Sequence, residues 1–393
     1  MRHIDDAERR ARLARRHALH PAWRADDAEA ATRAMTVLHA TEPPTVYLSL
    51  RARADGLTVA DVDKALYDER NLIKQLAMRR TLFVFPRDLL PAAWGSASKR
   101  VAGQHAARLA KDVELGGLAA DGAAWLAAAR AAVVARLADG SEHSAQALRE
   151  VLPELEGKVD LAPGKSYGGP VSIAPRVLTQ LALEAHIVRG RNGGHWRVSR
   201  PQWTSMENWL GEEPVPQLER DGYAELVRRW LTTFGPGTTA DLKWWLGSTV
   251  AAVKTALADV QAVEVGLDGG ATGWVLPDDL EPVDPVEPWA ALLPVLDPTV
   301  MGWKARDFYL GDHERELFDA VGNAGTTAWW DGRAVGCWVQ DADGRVQMTL
   351  LEDVDAEGRA ALAAEADRLT EWLDGVAVFP IYVSVAMRRA REA

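Results

Sequence analysis

The residues best suited to nucleophilic or metal chemistry are few: the chain of 393 residues holds nine histidines and one cysteine, Cys337. A lone thiol forms no internal disulfide and supplies no paired thiolates, and the histidines show no metal-ligand spacing, so no metal or cofactor is expected. Walker, G-x-G-x-x-G, H-E-x-x-H and G-x-S-x-G signatures are all absent. Nucleotide hydrolysis and zinc-protease chemistry lose their usual warrant. What remains is cationic and aromatic. Arg51, Arg53, Arg79 and Arg80 are followed by Lys99, Arg100, Arg108 and Lys111 on what reads as one helix. Such a set makes either a phosphate-binding face or an ordinary solvated surface. The run from Arg191 through Trp196 to Arg197 reads as a wing that enters a groove with Trp196 as wedge, or as a hairpin that packs Trp196 beneath itself. Trp244-Trp245 and Trp329-Trp330 offer stacking surfaces, but neighbours on a helix or strand cannot both face one ligand. At least one of each pair belongs in a core.

Charge is polarised along the chain. The overall charge is −11, yet residues 1–111 carry 20 Lys+Arg against 13 Asp+Glu, a balance of +7, and the remainder carries −18. A polyanion on one side of the molecule is compatible with that pattern. With 48% apolar and 26% charged residues the chain reads as a folded protein of two to four compact units. Its N-terminus, MRHIDDAERRARLARRH, lacks the apolar stretch of a signal peptide, and the Ala-rich 117–138 is broken by Asp121, Arg130 and Arg136. A cytoplasmic protein without a membrane span is expected.

The elements that must position these residues follow from period and caps. Ala7, Ala11, Ala14 and Ala18 mark a first helix, and Asp26-Asp27 cap a second that ends near His39 ahead of Pro43-Pro44. Val46 to Arg53 alternates like a strand, while Pro44 is also placed to open a helix. Thr58 begins the helix TVADVDKALYDE, followed by NLIKQLAMRR as a second helix and the β-rich TLFVFP; helix, helix, then strand is the order of a winged-helix module. The order recurs with the Ser144-capped SAQALREVLPEL, the apolar 177–188 and the hairpin GRNGGHWRVS. A third copy spans 222–277, with TTADLKWWLG, TVAAVKTALADV and the hairpin VEVGLDGGATGWVL. Residues 157–170 and 211–218 read as connectors, and DDLEPVDPVEP as a linker. Beyond it lies a mainly β domain, sheet or small barrel, with one helix over 356–373 and a final strand at VAVFPIYV.

The runs LHATEPPTVYLSLRAR, LYDERNLIKQLAMRRTLFVFPRDL, LLPVLDPTVMGWKARDFYLG and WWDGRAVGCW resemble the bacterial winged-helix DNA-binding family that contains the AlkZ-like DNA glycosylases. The resemblance covers nearly the whole chain, and its MRRTL and LLPVLDP segments are its most specific parts. It implies an α+β fold of three tandem winged helices in a C-shape with a C-terminal β-barrel-like domain. The units would be 1–112 with the catalytic motif, 113–217, 218–283 and 284–393. It also implies a monofunctional glycosylase, acting as a monomer on double-stranded DNA with bulky alkyl adducts such as N7-alkylguanine, crosslinks included. Base excision repair or self-resistance to a genotoxic natural product would be its setting.

In such proteins two polar residues flank an apolar one just after the second helix, usually Gln-x-Gln or Gln-x-Asp, and here that place holds His39-Ala40-Thr41. In an extended segment His39 and Thr41 share one side while Ala40 faces the core. A base alkylated at N7 is already cationic and leaves without a strong acid. Placing a water and stabilising an oxocarbenium-like sugar then suffice. A neutral His39 would accept the water's proton and Thr41 would orient it, with Glu42 as the neighbouring carboxylate. Read without the family, His39 caps one helix and Thr41 starts the next. Arg51, Arg79, Arg80, Lys99, Arg100, Arg191, Trp196 and Arg197 are the expected DNA contacts, joined by Lys304 and Arg306 from the GWKARD segment. The other class of function open to the chain is a non-catalytic winged-helix DNA binder, a regulator or an adduct-sequestering protein.

Overall fold

The structure, a computed structural model, describes residues 1–161 and 169–392. Its first unit turns on two prolines. Pro43 and Pro44 occupy the first turn of a helix, Pro43–Arg51, where a missing N–H costs nothing. That settles the ambiguous stretch before Arg53 as helical. Thr58 and Asp61 then close a capping box at the start of Val59–Asp63. NLIKQL, expected as a helix, is a strand: Leu72–Leu76 pairs antiparallel with Leu82–Pro86 to make a hairpin whose tip is Met78–Arg80. The preceding helix, Ala28–Ala34, stops short of the expected His39. The chain reverses at Thr36 in the left-handed region, φ 62°, and Leu38–His39 joins the hairpin as a third strand with His39 opposite Phe83.

Helix, helix and hairpin recur as expected. Ser144 caps Ala145–Val151, which is followed by Ala174–Leu183 and the hairpin Ile187–Asn192 with Pro201–Ser205. Thr238 and Thr249 cap Thr239–Leu246 and Val250–Asp259, ahead of the hairpin Val263–Leu267 with Thr272–Val275. Three boundaries differ from expectation. The division at 112 falls inside the Lys99–Leu115 helix. The N-terminal strand His3–Ile4 pairs parallel with Val263–Leu267, which places the chain's start in the third unit's sheet. The 157–170 connector contains two paired strands, Lys158–Leu161 and Gly169–Ser172, while its Pro163-Gly164 and Gly168 lie outside the described residues. No regular element interrupts 211–218.

The C-terminal unit is mixed rather than mainly β. Four strands, Ala290–Leu293, Thr327–Trp330, Arg333–Gln340 and Val346–Leu350, form an antiparallel meander in chain order, and the Ala356–Leu373 helix packs across it. Among the described residues its first and last strands do not pair. VAVFPIYV is not a strand, and the Val385–Glu392 helix follows it. Pro380 offers no N–H, and side chains of Gln340 and Glu42 take the backbone groups that a neighbouring strand would have used. Trp245 and Trp329 are core residues, while Trp244 and Trp330 are half-buried, as the packing argument for adjacent tryptophans requires.

A buried polar knot joins the units. Arg53 reaches Asp297 with two parallel hydrogen bonds, Nη2 to Oδ1 at 2.7 Å and Nη1 to Oδ2 at 2.9 Å, and both side chains are fully buried. Ser49 Oγ donates to the same carboxylate at 2.7 Å, and Arg53 also donates to Thr299 Oγ1. His17 completes the chain: its Nε2 donates to the Thr233 carbonyl, so its Nδ1 accepts from the Thr299 hydroxyl at 2.9 Å. Burial, with Arg53 nearby, holds the His17 pKa well below its ordinary value, in keeping with that neutral tautomer. Removing one partner of a buried pair strands a charge. Asp297→Ala should therefore lower the unfolding free energy by about 3–5 kcal/mol. An Arg53→Met, Asp297→Leu double variant should recover most of that loss in denaturant titration.

Candidate active site

His39 is held by the short strand Leu38–His39 against Leu82–Pro86, its ring 4.7 Å from that of Phe83. Ala40 continues the pairing through its N–H to the Leu82 carbonyl, 2.9 Å. The imidazole is almost wholly buried, and Nδ1 has no hydrogen-bond partner among the described residues. Desolvation, then the nearby Arg79 guanidinium, bring its pKa down to about 3. Thr41 by contrast is exposed, because the chain leaves the strand after Ala40 and bends toward Pro43. The pair thus presents a buried neutral ring and a solvated hydroxyl. An imidazole of such low basicity is neutral near neutral pH, and its unbonded Nδ1 is left as a hydrogen-bond acceptor.

Glu42 is turned away from that pair. Its Oε1 accepts from the backbone N–H groups of Ile381, 2.5 Å, and Tyr382, 3.1 Å, and burial raises its pKa against the pull of those two donors. It ties the C-terminal segment to the residues beside Thr41.

The expected cations divide into engaged and free. Arg79, at the tip of the first hairpin with φ 57°, lies over the Trp244 ring at 4.2 Å, and burial with Arg306 nearby lowers its pKa to about 10. Gly247 permits that approach, since a Cβ there would come 2.8 Å from Arg79 Cγ. Arg306 is buried, lies 5.1 Å from the same indole and pairs with Glu314 at 3.0 Å. Arg51 pairs with Glu365, Arg191 with Asp68, Arg100 donates to the Gly247 carbonyl and Arg197 to that of Ala377. Arg80, Lys99 and Lys304 are exposed, with no side-chain partner among the described residues. Trp196 neither projects freely nor packs beneath its own hairpin. It bridges units, 5.2 Å from the Tyr47 ring and edge-on to Trp372 at 5.8 Å.

Beside the motif lies a cavity absent from the sequence-based expectations. Ala40, Pro43, Tyr47, Tyr67, Lys74, Leu82, Arg189 and Trp196 are among its lining residues. Lys74 Nζ donates to Tyr67 Oη at 2.6 Å, and burial, aided by Arg189, lowers its pKa to about 8. Arg189 Nε is buried without a partner among the described residues. The only available signal was a lysine inside the apolar strand LIKQL. Three aromatic rings therefore line a cavity that Ala40 of the motif also lines. Among the described residues no group of His, Cys, Asp or Glu is arranged to hold a metal, and no helix is long and apolar enough to cross a membrane.

The low His39 pKa has a testable sign. The folded value of about 3 lies below the usual value of about 6.5, so the unfolded chain binds the extra proton as pH falls. The stabilisation linked to His39 is complete above pH 6.5 and is lost toward pH 3. Relative to wild type, His39→Phe should flatten the fall of unfolding free energy across that window in urea titrations. An unchanged slope would mean that His39 takes up its proton in the fold as readily as in the unfolded chain.

Comparison with known proteins adds three findings. The family model described as DNA glycosylase AlkZ-like matches residues 32–372. A search of the curated proteins finds no match. Among solved structures, the Streptomyces sahachiroi DNA glycosylase AlkZ is similar, with 17% identity, TM-score 0.71 and coverage of 97% of this chain and 99% of that one. At that identity the likeness is one of fold.

Proposed function

The chain belongs to the AlkZ-like DNA glycosylase family, and from that membership we propose that it hydrolyses the N-glycosidic bond of bulky N7-alkylguanine in double-stranded DNA. Crosslinked guanines are included, and the setting is base excision repair or self-resistance to a DNA-alkylating natural product. The three helix–helix–hairpin units are read as tandem winged helices, an assignment supported by their shared element order. The protein acts as a monomer, with water as its only nucleophile.

One observation carries the mechanism: a buried, neutral imidazole with an unbonded Nδ1 stands at the position of the family's catalytic motif. The alkylated base is cationic and departs with the electrons of its bond to C1′. Water attacks C1′ as the oxocarbenium character develops. The exposed Thr41 hydroxyl takes a hydrogen bond from that water, and His39 Nδ1, closed from solvent in the free protein, takes a second once the bound duplex opens the segment over it, which together fix its direction of approach. The released proton passes to solvent, because an imidazole with a pKa of about 3 does not keep it. Neither side chain needs to ionise.

Release of modified base from adducted duplex tests this directly. In a folded His39→Ala, Thr41→Ala variant the rate should fall by about 100-fold or more, the scale of a lost positioned polar group, while affinity for undamaged duplex is kept. Undiminished release would remove both residues from the site and favour a water held elsewhere. Binding to adducted duplex without any release by the wild type would favour the adduct-sequestering reading.

The DNA face is assigned to the free cations Arg80, Lys99 and Lys304, which hold phosphates rather than base edges because a lesion enzyme must accept any flanking sequence. Arg51, Arg79, Arg100, Arg191, Arg197 and Arg306 support that face through their intramolecular bonds. Arg80→Ala with Lys99→Ala should reduce the salt slope of binding by about two units, equally for plain and adducted duplexes. An unchanged slope would place the DNA on another surface.

A further inference from the structure

Residues 376–383 have no regular secondary structure, yet other elements hold their backbone in place. Gln340 donates to the Val376 carbonyl at 3.1 Å and accepts from the Val378 N–H at 2.8 Å. Arg197, from the tip of the second hairpin, donates to the Ala377 carbonyl, and Glu42 takes the N–H groups of Ile381 and Tyr382. Arg388 donates to the Val383 carbonyl at 3.0 Å. Val378, Tyr382 and Val383 pack inward on the cores. Phe379 and Ile381 point the other way and are 79% and 81% exposed.

A loose loop would fold such side chains back onto the protein. Here a buried carboxylate and a glutamine fix the backbone so that they cannot retreat, and two large apolar groups stay in water side by side. Single exposed apolar residues need no account, but a held pair beside a candidate site does. The pair is too small for a stable contact with a second copy, which needs about 800 Å² from each partner. Its location points elsewhere: Glu42, which anchors the loop, directly follows Thr41, the exposed member of the candidate catalytic pair. Arg388 and Arg391 are exposed beside it, as flanking phosphates require.

We propose that Phe379 and Ile381 form an apolar wedge that enters the base stack beside the damaged nucleotide, so that the occupant of this surface is a DNA base step. The proposal rests on the DNA glycosylase reading above. Apolar side chains inserted at a base step unstack it and open the duplex, which lets a bulky adduct and its sugar turn toward residues 39–41. Glu42 then sets the distance between wedge and motif.

The test uses the full chain and duplexes carrying 2-aminopurine, whose emission rises on unstacking, next to an N7-alkylguanine or a plain guanine. Wild-type binding should raise emission at the step beside the adduct. A Phe379→Ser, Ile381→Ser variant should keep the wild-type melting temperature and salt slope, lose that rise, and release base about tenfold more slowly, the scale of one lost base–side-chain stack. Phe379→Leu should restore most of both signals. The same rise and the same release in the serine variant would overturn the proposal, as would a wild-type dimer that the serine variant converts to monomer. A rise without any base release by the wild type would leave the wedge standing and refute the glycosylase mechanism instead.

Discussion

The Arg53–Asp297 pair is the constraint on which the rest depends. It lies where the helix that follows the motif, the first helix of the chain, the third unit and the LLPVLDP segment converge, and its hydrogen bonds pass through Thr299 and His17 to Thr233. Two ions are stable there because both terminal nitrogens of the Arg53 guanidinium point at a carboxylate, hydroxyl or carbonyl, while its buried Nε has no partner among the described residues. The geometry of residues 39–42 follows from it. The Pro43–Arg51 helix leads directly into Arg53, and Thr45 on that helix donates to the Val295 carbonyl at 2.9 Å, so both ends of the helix are fixed to the C-terminal unit. A motif at the head of such a helix cannot drift relative to the loop that Glu42 holds.

Under the proposed mechanism, the same rigidity lets a histidine stand at the motif position. Exposed, an imidazole would titrate near neutrality and add a positive charge beside the cationic base of the proposed substrate. Buried against Phe83 with Arg79 near, it stays neutral and offers one unbonded nitrogen, which approximates the hydrogen-bonding capacity of an amide. Desolvation, rather than a carboxylate partner, sets its protonation state.

Local chemistry was legible in the sequence and long-range chemistry was not. Thr58 and Ser144 each announce a helix by a side chain that bonds three residues ahead, and each does cap one. Val46 to Arg53 stayed ambiguous because its apolar positions fit both periods and only the two prolines in the first turn decide. VAVFPIYV misled because β-propensity describes side chains, whereas a strand needs a partner edge and this segment is held by Gln340 and Glu42. The cations were the hardest to read. Arg51 and Arg191 look free until their carboxylates arrive from distant elements, and no spacing rule links Arg53 to an aspartate 244 residues away.

That separation also orders the birth of the molecule. Arg12, nearly inaccessible to water, bonds Asp279 across 267 residues, and His3–Ile4 completes a sheet with Val263–Leu267. At about 5–20 residues per second on the ribosome, the N-terminal helix waits many seconds for the anions and strand that will cover it. During that interval its arginines remain solvated, and the apolar stripe around Leu13 and Ala14 has only local neighbours. The first unit is therefore made first and finished last, and its segment 39–42 acquires its final shape only after the acidic 279–284 stretch has closed over the first helix. A truncated chain that stops before Asp297 leaves Arg53 without its counter-ion, so a partly synthesised protein cannot present an assembled site to DNA.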